Sequence, residues 1–209
     1  MRATRLSQHG FPKRRGDPLF LFGKAELHQA IPGRKVYLRP PSQEDFETWV
    51  ALRQVSRAFL EKWEPIWAAD EFSRSAFRQR IRIYDQRARD DEGYNFFIFD
   101  NTSHDLLGGL SLSHVRRGVS QSATLGYWMG APYAGRGLMK DSLVALVSVA
   151  HSRFGFHRIE AACLPHNDVS RHLLLKCGFH QEGYAKAYAK IAGRWEDHLL
   201  FGRNVDHGW

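Results

Sequence analysis

The run Tyr127-Trp128-Met129-Gly130-Ala131-Pro132-Tyr133-Ala134-Gly135-Arg136-Gly137-Leu138-Met139-Lys140 joins a strand-like stretch to a helix through two glycines one residue apart. Without a Cβ the backbone can approach an anion closely. A helix starting at Gly137 or Leu138 would also present unpaired amides and a positive dipole end. That chemistry suits a diphosphate. The run lacks the Gly-Lys-Ser/Thr ending of a Walker loop and the third glycine of a dinucleotide fingerprint, so it points away from ATP and NAD. Glycine pairs also mark ordinary turns, and context must decide between the two readings.

A second constellation follows one strand later. In Pro165-His166-Asn167-Asp168-Val169-Ser170-Arg171-His172-Leu173-Leu174-Leu175-Lys176-Cys177-Gly178-Phe179, either Asn167 or Ser170 can cap a helix. Leu173 and Leu174 bury one side of it, and Gly178 offers a left-handed stop. His166 and His172 have no partner at metal-ligand spacing, and no metal is expected.

The elements that must position these groups are legible from patterning. Val36–Arg39 reads as a strand stopped by Pro40-Pro41. Ser42 starts a helix with Phe46, Trp49, Val50 and Leu52 on its apolar face, Val55–Trp67 holds a short helix ending near Pro65, and Ser73–Arg89 is a strongly charged one. Three strands follow at Asn95–Phe99, Leu106–Val115 and Ala123–Met129, as a meander. Then come a helix (Leu138–Phe154), a strand (His157–Cys163), a helix from Asn167 or Ser170 to Cys177, and two strands around Ala192-Gly193.

The 209 residues, 43% of them apolar, suffice for one domain with a sizeable core and exclude wholesale disorder. Cys163 and Cys177 are too few for a disulfide framework and read as core thiols of a cytoplasmic protein. Phe20-Leu21-Phe22 is a poor signal-peptide core, and the best buried helix carries Lys140, Asp141, His151 and Arg153. No membrane span is expected. Of the formal net charge of +8, much sits early: up to Lys35 there are eight basic residues against Asp17 and Glu26. Such a basic leader, assigned to residues 1–33, suits weak salt-sensitive contact with RNA or the ribosome, or is simply solvated.

Together the two constellations, in order and separated by one strand, resemble the GCN5-related N-acetyltransferase (GNAT) superfamily. Further blocks resemble its RimJ and RimL type, the N-terminal acetyltransferases of ribosomal proteins. They are Phe59-Leu60-Glu61-Lys62-Trp63-Glu64-Pro65, Leu125-Gly126-Tyr127, Pro165-His166-Asn167, and Glu182-Gly183-Tyr184-Ala185-Lys186 running to Gly193-Arg194-Trp195-Glu196-Asp197-His198. The resemblance implies an α/β acyl-CoA N-acyltransferase fold, a mixed twisted sheet of about seven strands flanked by helices, over residues 34–205.

It also implies acetyl-CoA as cosubstrate. Amides across Gly135, Arg136, Gly137, Leu138 and Met139 would cradle the pyrophosphate. Trp128 and Met129 would pair their backbone with the pantetheine arm, and Asn167 would hold that arm from the other side. Arg136, Lys140 or Arg171 would meet nucleotide phosphates or stay solvated. Two positions depart from the family pattern: Pro132 stands where Gln or Arg often begins the loop, and Leu174 stands where many members carry an acidic tyrosine. Ser170, one turn before Leu174, is the substitute expected to assist the leaving thiolate, with helix capping as its other reading.

An α-amine has a pKa of about 7.7–8 against about 10.4 for lysine, so an N-terminal acceptor needs only a mild base or a water relay. Glu64 is the first candidate, followed by Asp197, Glu182 and His198. Trp63, Trp67, Trp128 and Tyr184 read as core or rim aromatics that together can wall the substrate groove. The implied reaction is direct transfer in a ternary complex to the N-terminal alanine or serine of a ribosomal protein, without an acyl-enzyme. Two other readings remain open: a GNAT enzyme of a small amine, and an RNA- or ribosome-binding protein that senses acetyl-CoA.

Overall fold

The computed structural model describes residues 29–204. Along the chain lie β1 (Ile31–Pro32), β2 (Val36–Arg39), α1 (Phe46–Val55), the single turn α2 (Arg57–Leu60) and α3 (Arg74–Arg89). These are followed by β3 (Tyr94–Asp100), β4 (Leu106–Arg116), β5 (Ser122–Met129), α4 (Leu138–Ser152), β6 (Arg158–Cys163), α5 (Asp168–Lys176), β7 (His180–Ile191) and β8 (Arg194–Asn204). The strands form one mixed sheet in the order β1-β2-β3-β4-β5-β6-β8-β7. β5 and β6 pair in parallel, and every other neighbouring pair is antiparallel.

The sheet is covered on both faces, and β3 shows how the sequence arranges this. Successive side chains of a strand point to opposite sides. Phe96 and Ile98 join a core with Leu143 and Leu146 of α4 and Leu174 of α5. Phe97 and Phe99 join a second core with Phe46 and Trp49 of α1 and Phe77 and Ile81 of α3. A strand buried on both faces reads as a continuous apolar run, which is what Phe96 to Phe99 presents.

The eighth strand is the short β1, whose buried Ile31 pairs with Leu38, so the sheet reaches back before position 34. Residues 1–28 of the expected leader, and its expected RNA contact, lie outside the described residues. The helix expected over Val55–Trp67 is one turn long. After Leu60 the chain turns, with the Trp63 amide donating to the Leu60 carbonyl at 2.8 Å, and Pro65 biases Glu64 away from helix.

At the other edge, β7 and β8 meet through Ala192 and Gly193, both with positive φ (46° and 83°), the geometry of a two-residue hairpin turn. The outer strand β7 is irregular: its register shifts between Ala185 and Ala189, and Ala187 itself has φ 47°.

Candidate active site

The glycine run folds as a cradle. After β5 the chain makes a short 3-10 turn over Ala131–Tyr133, which accommodates Pro132, and Gly137 then caps α4 in the left-handed region with φ 75°. Gly135 has φ 76°. Among the described residues a Cβ built at either glycine would meet nothing within 4 Å, so the demand for glycine is conformational and no described residue fills the space in front. Among the described residues no side chain caps this end of α4, and its first-turn amides have no intrahelical acceptor. Leu138 and Met139 bury their side chains in the core and so can offer only backbone groups, whereas Arg136 and Lys140 are exposed. The carboxylate of Asp141 accepts from the Lys35 amide at 2.7 Å and from the Arg34 amide at 3.3 Å, fixing α4 to the β1–β2 turn. These donors and this open space fit the diphosphate of a coenzyme A molecule.

Beside the cradle the sheet splits. The parallel pairing of β5 with β6 runs only from Ser122–Arg158 to Leu125–Ala161, although β5 continues to Met129. Gly126 to Met129 therefore have one edge that, among the described residues, no strand covers. Trp128 and Met129 lie on that stretch, as an acyl-pantetheine arm would need. Gly108 and Gly109 of β4 keep it in place. A Cβ at Gly108 would lie 2.3 Å from the Trp128 carbonyl oxygen, and one at Gly109 would lie 2.5 Å from the Trp128 indole nitrogen.

Across the split stands the start of α5. Asn167 is its cap, accepting from the Ser170 amide through Oδ1 at 3.1 Å. Ser170 is thus released from capping, and its Oγ lies 2.6 Å from the Tyr127 hydroxyl of β5. Burial pushes the neighbouring Cys163 thiol up, against a smaller lowering by Ser170. Burial likewise raises Tyr127 well above an ordinary phenol. Leu174 is fully buried. Tyr127 escaped the sequence reading: the partly buried strand position was visible, but its contact with a residue 43 positions away was not.

The acceptor side gathers several of the expected residues. Glu64 is held bidentate by Arg53, at 2.8 and 2.6 Å, and also accepts from the Trp67 indole at 2.7 Å. Arg53 in turn lies between the rings of Trp67 and Trp128, 4.3 and 4.9 Å from their centroids. Arg53 is the second residue that sequence reasoning missed; its place in the last turn of α1, on the buried side, was the available signal. The Trp63 ring packs 5.7 Å from that of His166, next to the α5 cap. At the hairpin tip the Ala192 amide donates to the Glu64 carbonyl at 2.9 Å, so the 61–68 loop and the β7–β8 hairpin meet.

Tyr184 and Asp197 face each other within that hairpin. The phenol donates to the carboxylate at 2.5 Å, and the Ala187 amide donates to it at 2.8 Å. Chiefly the Tyr184 hydrogen bond, then that of Ala187, holds Asp197 below the usual carboxylate range. Glu182 is held low by Arg158. His198 is buried, and its Nδ1 donates to the Glu196 carbonyl at 3.1 Å, which leaves Nε2 as an acceptor. Arg171 pairs with Asp168 at 2.8 Å at the other face of the α5 start. Among the described residues no group of three or more His, Cys, Asp or Glu is placed to hold a metal ion.

Comparison with known proteins agrees with this geometry. The family described as Acetyltransferase (GNAT) domain matches residues 35–180. A probable N-acetyltransferase of Bacillus subtilis, YjcK, is 37% identical over 170 residues, covering 81% of this chain and 94% of that protein. The [ribosomal protein uS5]-alanine N-acetyltransferase of Escherichia coli is 34% identical over 145 residues, covering 69% and 75%. Among solved structures, Mycobacterium smegmatis RimJ in complex with CoA-disulfide superposes with a TM-score of 0.82 at 27% identity, covering 87% of this chain and 90% of that one. With its glycine cradle, split sheet and capped α5, the chain belongs to the GNAT acetyltransferase family, among relatives of the ribosomal-protein-alanine acetyltransferase type.

Proposed function

We propose that this protein transfers the acetyl group of acetyl-CoA to the α-amino group of a protein N-terminus, with the N-terminal alanine of a ribosomal protein as acceptor. The observation that carries this reading is the junction at Glu64. There the β7–β8 hairpin bonds to the Glu64 carbonyl while Arg53, held by the Glu64 carboxylate, lies over Trp128, so loop and hairpin stand beside the uncovered edge of β5 where an acceptor amine would have to arrive. The uS5-alanine acetyltransferase of Escherichia coli supports the choice of acceptor.

Acetyl-CoA supplies an activated acyl carbon. The amides from Gly135 to Met139 hold its diphosphate, the edge of Trp128 and Met129 aligns the arm, and Asn167 flanks it. Trp63 and Tyr184 line the acceptor groove, with Asp197 fixing Tyr184. Ser170 stabilises the sulfur as it departs, and catalysis is chiefly positioning and charge stabilisation. Glu64 acts first as the anchor of Arg53, because a carboxylate gripped by a guanidinium and an indole must part from them to take a proton. We assign the amine's proton instead to a water relay or to the Nε2 of His198. The reaction needs no metal, and the protein works in the cytoplasm, where the basic residues ahead of β1 add weak contact with ribosomal RNA while the catalytic domain takes in β1 and runs on to residue 205.

The test is intact-mass spectrometry after incubation of the purified protein and acetyl-CoA with unacetylated ribosomal proteins and a mixture of small amines. One acetyl group gained at the N-terminus of one ribosomal protein is the expected result. Acetylation confined to small amines overturns the acceptor assignment, and binding of acetyl-CoA without any transfer overturns the enzymatic reading.

A further inference from the structure

We propose that Tyr127 is a positioning residue for acetyl transfer: its phenol donates to Ser170 Oγ and so turns the Ser170 hydrogen toward the departing sulfur. This rests on the acetyl-CoA-dependent reading above. The two oxygens are 2.6 Å apart, and in such a pair one hydroxyl donates and the other keeps its hydrogen for a third group. Burial keeps the phenol protonated, so Tyr127 is able to donate, and of the two senses of this hydrogen bond only that one leaves the Ser170 hydrogen free.

Ser170 then has its own hydrogen to spare for a sulfur placed beside it. The α5 helix offers no other hydroxyl at this point: Leu174, one turn on, is sealed in the core, and Asn167 spends its side-chain oxygen on the helix cap. Strand β5 thus supplies from below what the helix lacks. The uncovered edge that exposes Gly126 to Met129 also brings Tyr127 to the foot of α5.

In the transfer, the amine nitrogen bonds to the acyl carbon and the carbon–sulfur bond breaks with its electron pair on sulfur. One N–H proton is released, and the sulfur gains one proton. The Ser170 hydrogen bond stabilises the charge building on sulfur, and Tyr127 retains its proton throughout.

The test is steady-state kinetics of Tyr127→Phe, Ser170→Ala and the double variant, with acetyl-CoA varied, on whichever amine the wild type acetylates. Tyr127→Phe is expected to lower kcat about tenfold, the worth of one oriented hydrogen bond. KM for acetyl-CoA should stay within about twofold, as for an interaction made only in the transition state. In the Ser170→Ala background the same change should cost nothing further. An unchanged kcat overturns the proposal. So does an equal fold-loss with and without Ser170, since Tyr127 would then act by packing, and a lowered thermal midpoint would accompany it. A wild type active on small amines but not on ribosomal proteins refutes the acceptor assignment and leaves this comparison intact.

Discussion

The Glu64 carboxylate has both oxygens committed, and the group that commits them, Arg53, is itself buried, with side chains 20% and 7% exposed respectively. Removing one partner of a buried pair leaves the other charge without compensation, which costs more than the pair contributes. Glu64→Gln is therefore expected to destabilise the fold by about 2 kcal/mol, the range for a buried donor left short of its acceptor. A shift of the denaturation midpoint reads this. The shape of the pH–rate profile should be unchanged, whereas a base at Glu64 would remove its acidic limb. Residues of this kind mark the boundary of what the sequence discloses. Asn167 was readable because capping is local chemistry within one helix turn, and it, of the two capping candidates, takes the cap. Arg53 and Tyr127 were not, because their roles depend on partners 11 and 43 positions away, brought near only by the folded sheet.

At the scale of elements, the boundary between β5 and α4 concentrates the cofactor chemistry. Gly137 sits at φ 75° with no side-chain contact near a built Cβ, so Gly137→Ala meets no clash but must hold alanine in a left-handed conformation. The expected cost is about 1–2 kcal/mol of stability. Relaxation of the loop should turn its amides away and weaken acetyl-CoA binding, which titration calorimetry reads, with little change in the acceptor's KM. Most elements were foreseeable at this scale: apolar alternation and glycine punctuation placed β3, β4, β5 and α4 within a residue or two of their ends, and put the turn of the final hairpin at Ala192-Gly193. The divergence of β5 from β6 carried no such signal, since Gly126 to Met129 look like any strand. Nor did β1, whose two residues are too few to show a period.

The whole molecule buries chemistry it does not use. Cys163 and Cys177 are free thiols inside the core, and burial raises both above an ordinary thiol. A raised thiol is less often thiolate at any given pH, and the thiolate is the reactive form. Native protein should therefore resist iodoacetamide at a pH where a free thiol is alkylated, and both cysteines should label after denaturation. Rapid native labelling followed by mass spectrometry would show that the core opens there.

Beyond the site, the bulge around Ala187 has a further consequence. β7 is the last strand of the sheet, and a regular outer strand is an invitation for another chain to add itself. The left-handed Ala187 breaks that ladder, its amide is turned inward to Asp197, and Lys186 and Lys190 stud the flanks. The carboxylate that steadies Tyr184 thus also keeps the margin of the sheet unfit for a neighbour. Losing it would be felt in clumping and in the colloidal life of the protein as much as in its turnover.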